Sequence, residues 1–226
     1  IKHFEIGRKL WIPRIRFFGN GGVVRDASGN LKRDVLEMWM QPASVDTTQV
    51  FMVISNVRGE EQDITDADGA YLQARKIKKL FTRTPESMHT PEELAMRDPV
   101  RSVDAALYGT REAGFEWDDH SDGLLTSNGW KQLHDIDRSV YINSSDASLL
   151  KYVDDFNLSG PPKARRVAIA QLATLFLMKD PERVDASGVA FVGVQYAVKH
   201  DGSSTKRTLI VQQTKFARVL LERYLE

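Results

Sequence analysis

The stretch Ser148-Leu149-Leu150-Lys151-Tyr152-Val153-Asp154-Asp155-Phe156-Asn157-Leu158-Ser159 reads as two short strands broken at a pair of acids. Leu149, Leu150, Tyr152 and Val153 supply an apolar first arm, Phe156 and Leu158 recur at period two in the second, and Asp154-Asp155 falls at the hairpin tip. Adjacent carboxylates repel each other, and the cost falls when a divalent cation lies between or beside them. An Asp pair at the end of a strand is therefore a reasonable seat for Mg²⁺. The competing reading is a solvated turn, where Asp is common.

Working outward, Ser139 to Asn143 predicts a further strand, closed by the polar turn Ser144-Ser145-Asp146. Val189 to Val198 and Arg207 to Gln212 predict a second hairpin around Asp201-Gly202-Ser203-Ser204. Helices are predicted after Ser44, with Val50, Val53, Ile54 and Val57 as the apolar stripe, and from Arg111 to Asn128, stopped by Gly129. Two more run from Lys163 to Met178 and along a last segment with Phe216, Val219, Leu220 and Tyr224 on one face. Lys9 to Phe18 alternates apolar and basic residues around Pro13, an edge-strand pattern. Residues 76–99 are polar, carry three prolines, and predict an irregular connection with a short helix at Pro91 to Met96. The mixed order predicts an α+β fold, with helices on one face of a mainly antiparallel sheet.

Composition narrows the chemistry. The 226 residues are 42% hydrophobic and 27% charged, enough for one substantial core or two modest ones, which argues against disorder. No cysteine is present, so disulfides, thiolate metal sites and Cys nucleophiles are excluded. The longest greasy run, Val167 to Met178, is interrupted by Gln171 and Thr174 and is too short for a membrane span. Formal charge is zero, so a polyanionic partner finds attraction only in local patches: Lys2, Arg8, Lys9, Arg14 and Arg16, and Arg75, Lys76, Lys78, Lys79 and Arg83. The start at Ile1 lacks the apolar core of a signal peptide and reads as a fragment or processed piece.

Two other acidic clusters compete for attention. Asp63, Asp66 and Asp68 precede Gly69-Ala70-Tyr71-Leu72; an EF-hand loop would put Ile64 first and Arg75 twelfth, where acids are required, so that reading fails. Asp118, Asp119, His120 and Asp122 read as the solvated face of an amphipathic helix. If an acid ahead of Ala70 meets Asp154 and Asp155 in space, three carboxylates could hold two Mg²⁺ ions roughly 4 Å apart, the phosphoryl-transfer arrangement.

These blocks, in this order, resemble the reverse transcriptases of copia-type long-terminal-repeat retrotransposons. Asp66-Ala67-Asp68-Gly69-Ala70-Tyr71-Leu72 looks like the first catalytic block, and Leu107-Tyr108-Gly109-Thr110-Arg111-Glu112-Ala113 with Trp117 resembles Leu-Tyr-Gly-Leu-Lys-Gln-Ala. Tyr152-Val153-Asp154-Asp155 is similar to the hallmark Tyr-x-Asp-Asp. Phe176 to Asp180, Phe191 to Val194 and Gln213 to Tyr224 look like later blocks, and Pro13 to Asn20 resembles the first strand of the fingers.

The resemblance implies a palm with partial fingers and most of the thumb missing: a fingers-like region at 1–60, the palm at 61–212 with a finger or connecting insertion at 76–110, and the start of a thumb helix at 213–226. It implies an RNA-directed DNA polymerase, with Asp66, Asp154 and Asp155 as catalytic, metal-binding acids for two Mg²⁺ ions, Mn²⁺ being able to substitute. Arg14, the Ala67 carbonyl, Tyr71 and Glu112 would meet the nucleotide, with Tyr71 discriminating against a 2′-hydroxyl, and Val192, Gly193 and Val194 would lie near the primer terminus. Partners implied are an RNA or DNA template with primer, dNTPs, and RNase H and integrase domains of one polyprotein; no membrane is implied. The compartment implied is intracellular: cytoplasmic virus-like particles, or the nucleus. Glu112 replaces the family's usual Gln, and an acid there repels triphosphate unless paired with Arg111 or Lys151. Thr110, Gly114 and Phe115 also depart from the common pattern. The alternative is a decayed or co-opted element remnant that binds nucleic acid or protein without polymerising.

Overall fold

A computed structural model describes residues 2–4, 11–13, 28, 40, 42–201 and 206–225. The chain begins with β1 (Lys2–Phe4) and β2 (Trp11–Pro13), which pair with each other, followed by α1 (Val45–Val57) and β3 (Glu61–Asp66). Next come α2 (Ala70–Gln73), β4 (Arg75–Thr82), α3 (Pro91–Leu94), β5 (Arg101–Ala105) and α4 (Ala113–Ser127). The strands β6 (Trp130–Leu133), β7 (Asp137–Asn143), β8 (Ser148–Tyr152) and β9 (Asp155–Gly160) lead into α5 (Pro162–Leu175). The chain closes with β10 (Glu182–Arg183), β11 (Val189–Phe191), β12 (Val194–His200), β13 (Arg207–Gln212) and α6 (Thr214–Leu225). The fold is α+β. Among the described residues no helix is long and apolar enough to cross a membrane.

The principal sheet has six strands in the order β10-β3-β9-β8-β7-β6, every pairing antiparallel. Because successive side chains point to opposite faces, the apolar arms of the β8–β9 hairpin serve two cores. Leu149, Phe156 and Leu158 pack with Trp117 and Leu125 of α4 and with Ala164, Ala168 and Leu172 of α5. Leu150 and Ile64 face Met52 and Phe51 of α1 and Phe191, Val194 and Tyr196 of the small β11-β12-β13 sheet. Helices therefore lie on both faces rather than one. Each fully buried Leu or Phe contributes about 1.5–3 kcal/mol, so the hairpin carrying the acids is anchored from two sides.

Several buried polar groups find partners across elements, although Asn157 Oδ1 has none among the described residues. Asn157 donates to Gln62 at 3.1 Å, and Arg165 of α5 reaches Glu61 at 2.6 Å as well as Asp63, whose carboxylate is almost fully buried. Asp63 is thus committed to a structural ion pair on the face of β3 opposite Asp66.

Three sequence expectations are revised. Helix α1 begins at its Ser44 cap, whose hydroxyl accepts from Thr47 N at 2.9 Å, but it buries Thr48, Phe51, Met52 and Ser55 and leaves Val50, Val53, Ile54 and Val57 exposed. The polar members of that buried face are internally satisfied, Ser55 Oγ donating to Phe51 O at 2.8 Å, so hydrophobicity alone misassigned the face. The short helix expected at Pro91 to Met96 is present as α3, but residues 76–82 of the stretch expected to be irregular belong to β4 and pair with β5 in a two-stranded ribbon. Its strands are largely exposed and stabilised by backbone pairing and ion pairs, so no apolar alternation marked them. Helix α5 ends at Leu175 because Phe176 turns extended and packs its ring 5.6 Å from Trp117 and 5.7 Å from Phe156. The rest of the expected Lys9–Phe18 strand beyond β2, and the 202–205 turn, lie outside the described residues.

Candidate active site

Asp66 is the last residue of β3 and Asp155 the first of β9, and the two are direct partners in the antiparallel register. Tyr152 of β8 pairs with the same Asp155, leaving Val153-Asp154 as a two-residue turn. Acids 89 positions apart in sequence, Asp66 and Asp155, therefore share one sheet end with Asp154 on the adjoining turn.

That turn is held against its own preference. Val153 has φ 57°, at the first turn position, where two-residue hairpins ordinarily use glycine. A β-branched residue there is a steric outlier costing on the order of 1–3 kcal/mol, tolerated only where surroundings over-determine it. They do so through two consecutive carbonyls: Trp117 Nε1 donates to Val153 O at 2.7 Å, and Ala67 N donates to Asp154 O at 2.8 Å. Trp117 is fully buried.

The segment after α5, joined to Ala67 by an isolated bridge at Met178, closes the other side. Lys179 N donates to Asp66 O at 2.9 Å, Thr65 Oγ1 donates to Lys179 O at 2.7 Å, and Asp68 N donates to Leu177 O at 2.8 Å. This backbone frame sets Lys179 Nζ 2.7 Å from Asp66 Oδ1, an ion pair with both side chains partly exposed. Burial, with Asp154 and Asp66 adding like charge and Lys179 opposing, pushes the Asp155 carboxyl up to about 6. The three acids sense one another electrostatically. Asp66, Asp155, Lys179 and Asp180 share a cleft of about 170 Å³ with Val189 and Ala190 of β11.

Tyr71 stands on α2, half-buried, its ring 4.6 Å from that of Tyr108. Burial, then the Asp154 charge and Tyr108, raise its hydroxyl pKa, which puts the ring within the field of the acids. The Ala67 carbonyl accepts from Ala70 N at 3.2 Å. Glu112 pairs with neither Arg111 nor Lys151. It lies 3.5 Å from Lys76 Nζ, which is held more closely by buried Glu116 at 3.0 Å. Lys151 is engaged elsewhere, donating to Asp118 at 2.8 Å, Ser121 at 2.9 Å and Asp122. The expectation of a solvated face for Asp118 and Asp122 is therefore corrected: they compensate a buried lysine, and a sequence window around α4 contains no trace of that partner. Val192 and Gly193 form the β11–β12 turn, with φ 50° and 76°, and Val194 is buried in the second core. Arg14 lies outside the described residues.

A divalent cation suits this donor set in chemistry, since crowded carboxylates repel one another and Asp155 holds its proton more tightly than usual. Among the described residues no three acidic or histidine side chains already close on a common point, Asp66 being turned to Lys179. Trp117, Tyr108 and Lys179 are site neighbours to which sequence reasoning assigned no role. Position within the recognised blocks was their sole signal. No protein-family model matches the chain, and no curated protein sequence does.

Proposed function

We propose that this chain is the palm of a two-metal nucleotidyltransferase that extends a primer strand. More specifically, we read it as the RNA-directed DNA polymerase part of a copia-type retrotransposon polyprotein. The observation that carries the reading is the direct pairing of Asp66 with Asp155 beside the Val153-Asp154 turn, which gathers acids from two separate blocks at one sheet end. Asp66, Asp154 and Asp155 would hold Mg²⁺, which when bound supplies charge neutralisation at the attacking 3′-hydroxyl and the leaving pyrophosphate. The Tyr71–Tyr108 pair, its rings tilted 35° to each other, forms an aromatic wall near Asp154, suited to contact the sugar of an incoming dNTP. Lys179, cationic and half exposed beside the acids, is placed to neutralise phosphate charge.

The test is primer extension on an RNA template with dNTPs and Mg²⁺, comparing the parent with Asp154→Asn. Extension by the parent that is lost in a folded variant supports the polymerase and its acids together. The remnant reading is favoured by one observation, the Lys179–Asp66 pair, which satisfies that acid without any metal. It predicts duplex binding without extension by either protein.

A further inference from the structure

We infer that Trp117 is a positioning residue: its indole N–H, by holding the Val153 carbonyl, sets the turn that presents Asp154 and Asp155 to a divalent cation. The inference rests on the polymerase reading above. Three observations lead to it. Val153 occupies a left-handed conformation that its branched side chain disfavours, so the turn needs an external restraint. Of the two carbonyls in that turn, one is tied to Ala67 N, in the segment leaving β3, and the other to the Trp117 side chain. The indole itself cannot drift, being fully buried with Phe176 edge-on at 5.6 Å. The next turn of α4 supports the same hairpin, since Asp118 and Asp122 grip Lys151 of β8. Helix α4 thus clamps the strand and its tip from one side, and loss of the indole bond frees the tip while leaving the strand in place.

The test measures Mn²⁺ binding by electron paramagnetic resonance on the full chain, with no nucleotide present. Trp117→Phe keeps an aromatic ring and removes the donor; losing one neutral hydrogen bond to a constrained turn is expected to weaken Mn²⁺ about fivefold. Trp130→Phe is the control: Trp130 is equally buried and donates Nε1 to Gln171 at 3.0 Å, away from the acids, so it costs similar packing and should leave Mn²⁺ affinity unchanged. Adding Val153→Gly to Trp117→Phe should restore affinity to within about twofold of the parent, because glycine takes the left-handed conformation without a restraint. If Trp117→Phe does not fold, benzothienylalanine at position 117 removes the N–H and keeps the bicyclic shape. An affinity within twofold of the parent, an equal loss in Trp130→Phe, or no rescue by glycine overturns the inference and leaves the polymerase reading standing. A parent that binds Mn²⁺ no better than Asp154→Asn sinks both.

Discussion

Replacing Asp155 by asparagine should make the protein more stable at neutral pH, by an amount that depends on pH in a defined direction. In the folded chain burial, Asp154 and Asp66 raise the carboxyl from 3.8 to about 6, against a smaller opposing effect of Lys179. A rise of that size corresponds to a ceiling of about 3 kcal/mol. The side chain is partly exposed, so solvent screening reduces this to about 1.5 kcal/mol. An acid whose folded pKa lies above its unfolded value binds its proton more tightly in the native state. Its favourable contribution is complete below the unfolded value and is lost as pH rises through about 6. Asparagine does not titrate. Urea unfolding of both proteins at about pH 4 and about pH 7.5, without divalent cations, should therefore show the variant gaining about 1.5 kcal/mol on the parent between the two conditions. Groups remote from the site titrate alike in both proteins and cancel in the difference. A gap that stays flat to within about 0.5 kcal/mol would refute the crowding of Asp66, Asp154 and Asp155 on which the site rests. Added Mg²⁺ should narrow the gap at pH 7.5 by stabilising the parent more than the variant.

Glu116→Ala should destabilise by about 3–5 kcal/mol, because it strands Lys76, whose side chain is 3% exposed, with only the longer contact to Glu112. It also removes the acceptor of Ile77 N. Chemical denaturation checks this, and a loss under about 1 kcal/mol would show that Lys76 reaches solvent. On the proposed polymerase reading, Tyr71→Ala should raise ribonucleotide incorporation relative to deoxynucleotide in the primer-extension assay, since that reading puts the ring against the sugar. Unchanged discrimination in a folded variant removes Tyr71 from that role.

The hairpin of β8 and β9 was legible from residues 148–159 alone, since apolar arms flank two acids, but its turn falls one residue earlier than the expected Asp154-Asp155 tip: Val153-Asp154 make the turn and Asp155 is the first residue of β9, because Tyr152 pairs with Asp155. The helices were legible as elements, through the Ser44 cap and the Gly129 stop, because capping and periodicity are local. Which face α1 buries was not. Val50, Val53, Ile54 and Val57 carry the stronger apolar stripe, yet Met52 and Phe51 fit the second core beside Ile64 and Leu150. Ribbon β4–β5 escaped because strands held by backbone pairing outside a core carry no alternating signal. The roles of Asp118, Asp122 and Glu116 escaped because a buried cation recruits acids from another element, and only the assembled sheet brings Lys151 and Lys76 to them.

The sequence by itself marked the candidate carboxylates: Asp154 and Asp155 are adjacent at a strand end, and Asp66 lies in an acidic run ahead of Ala70. Tertiary structure decided that Asp66 faces Asp155 while Asp63 does not. Side chains alternate along β3, so the antiparallel register with β9 sends Asp66 to the open sheet end and Asp63 to Arg165 beneath α5. It decided, too, that a strained valine turn is bound by an indole from α4, because that bond spans 36 residues of chain and no local pattern encodes it.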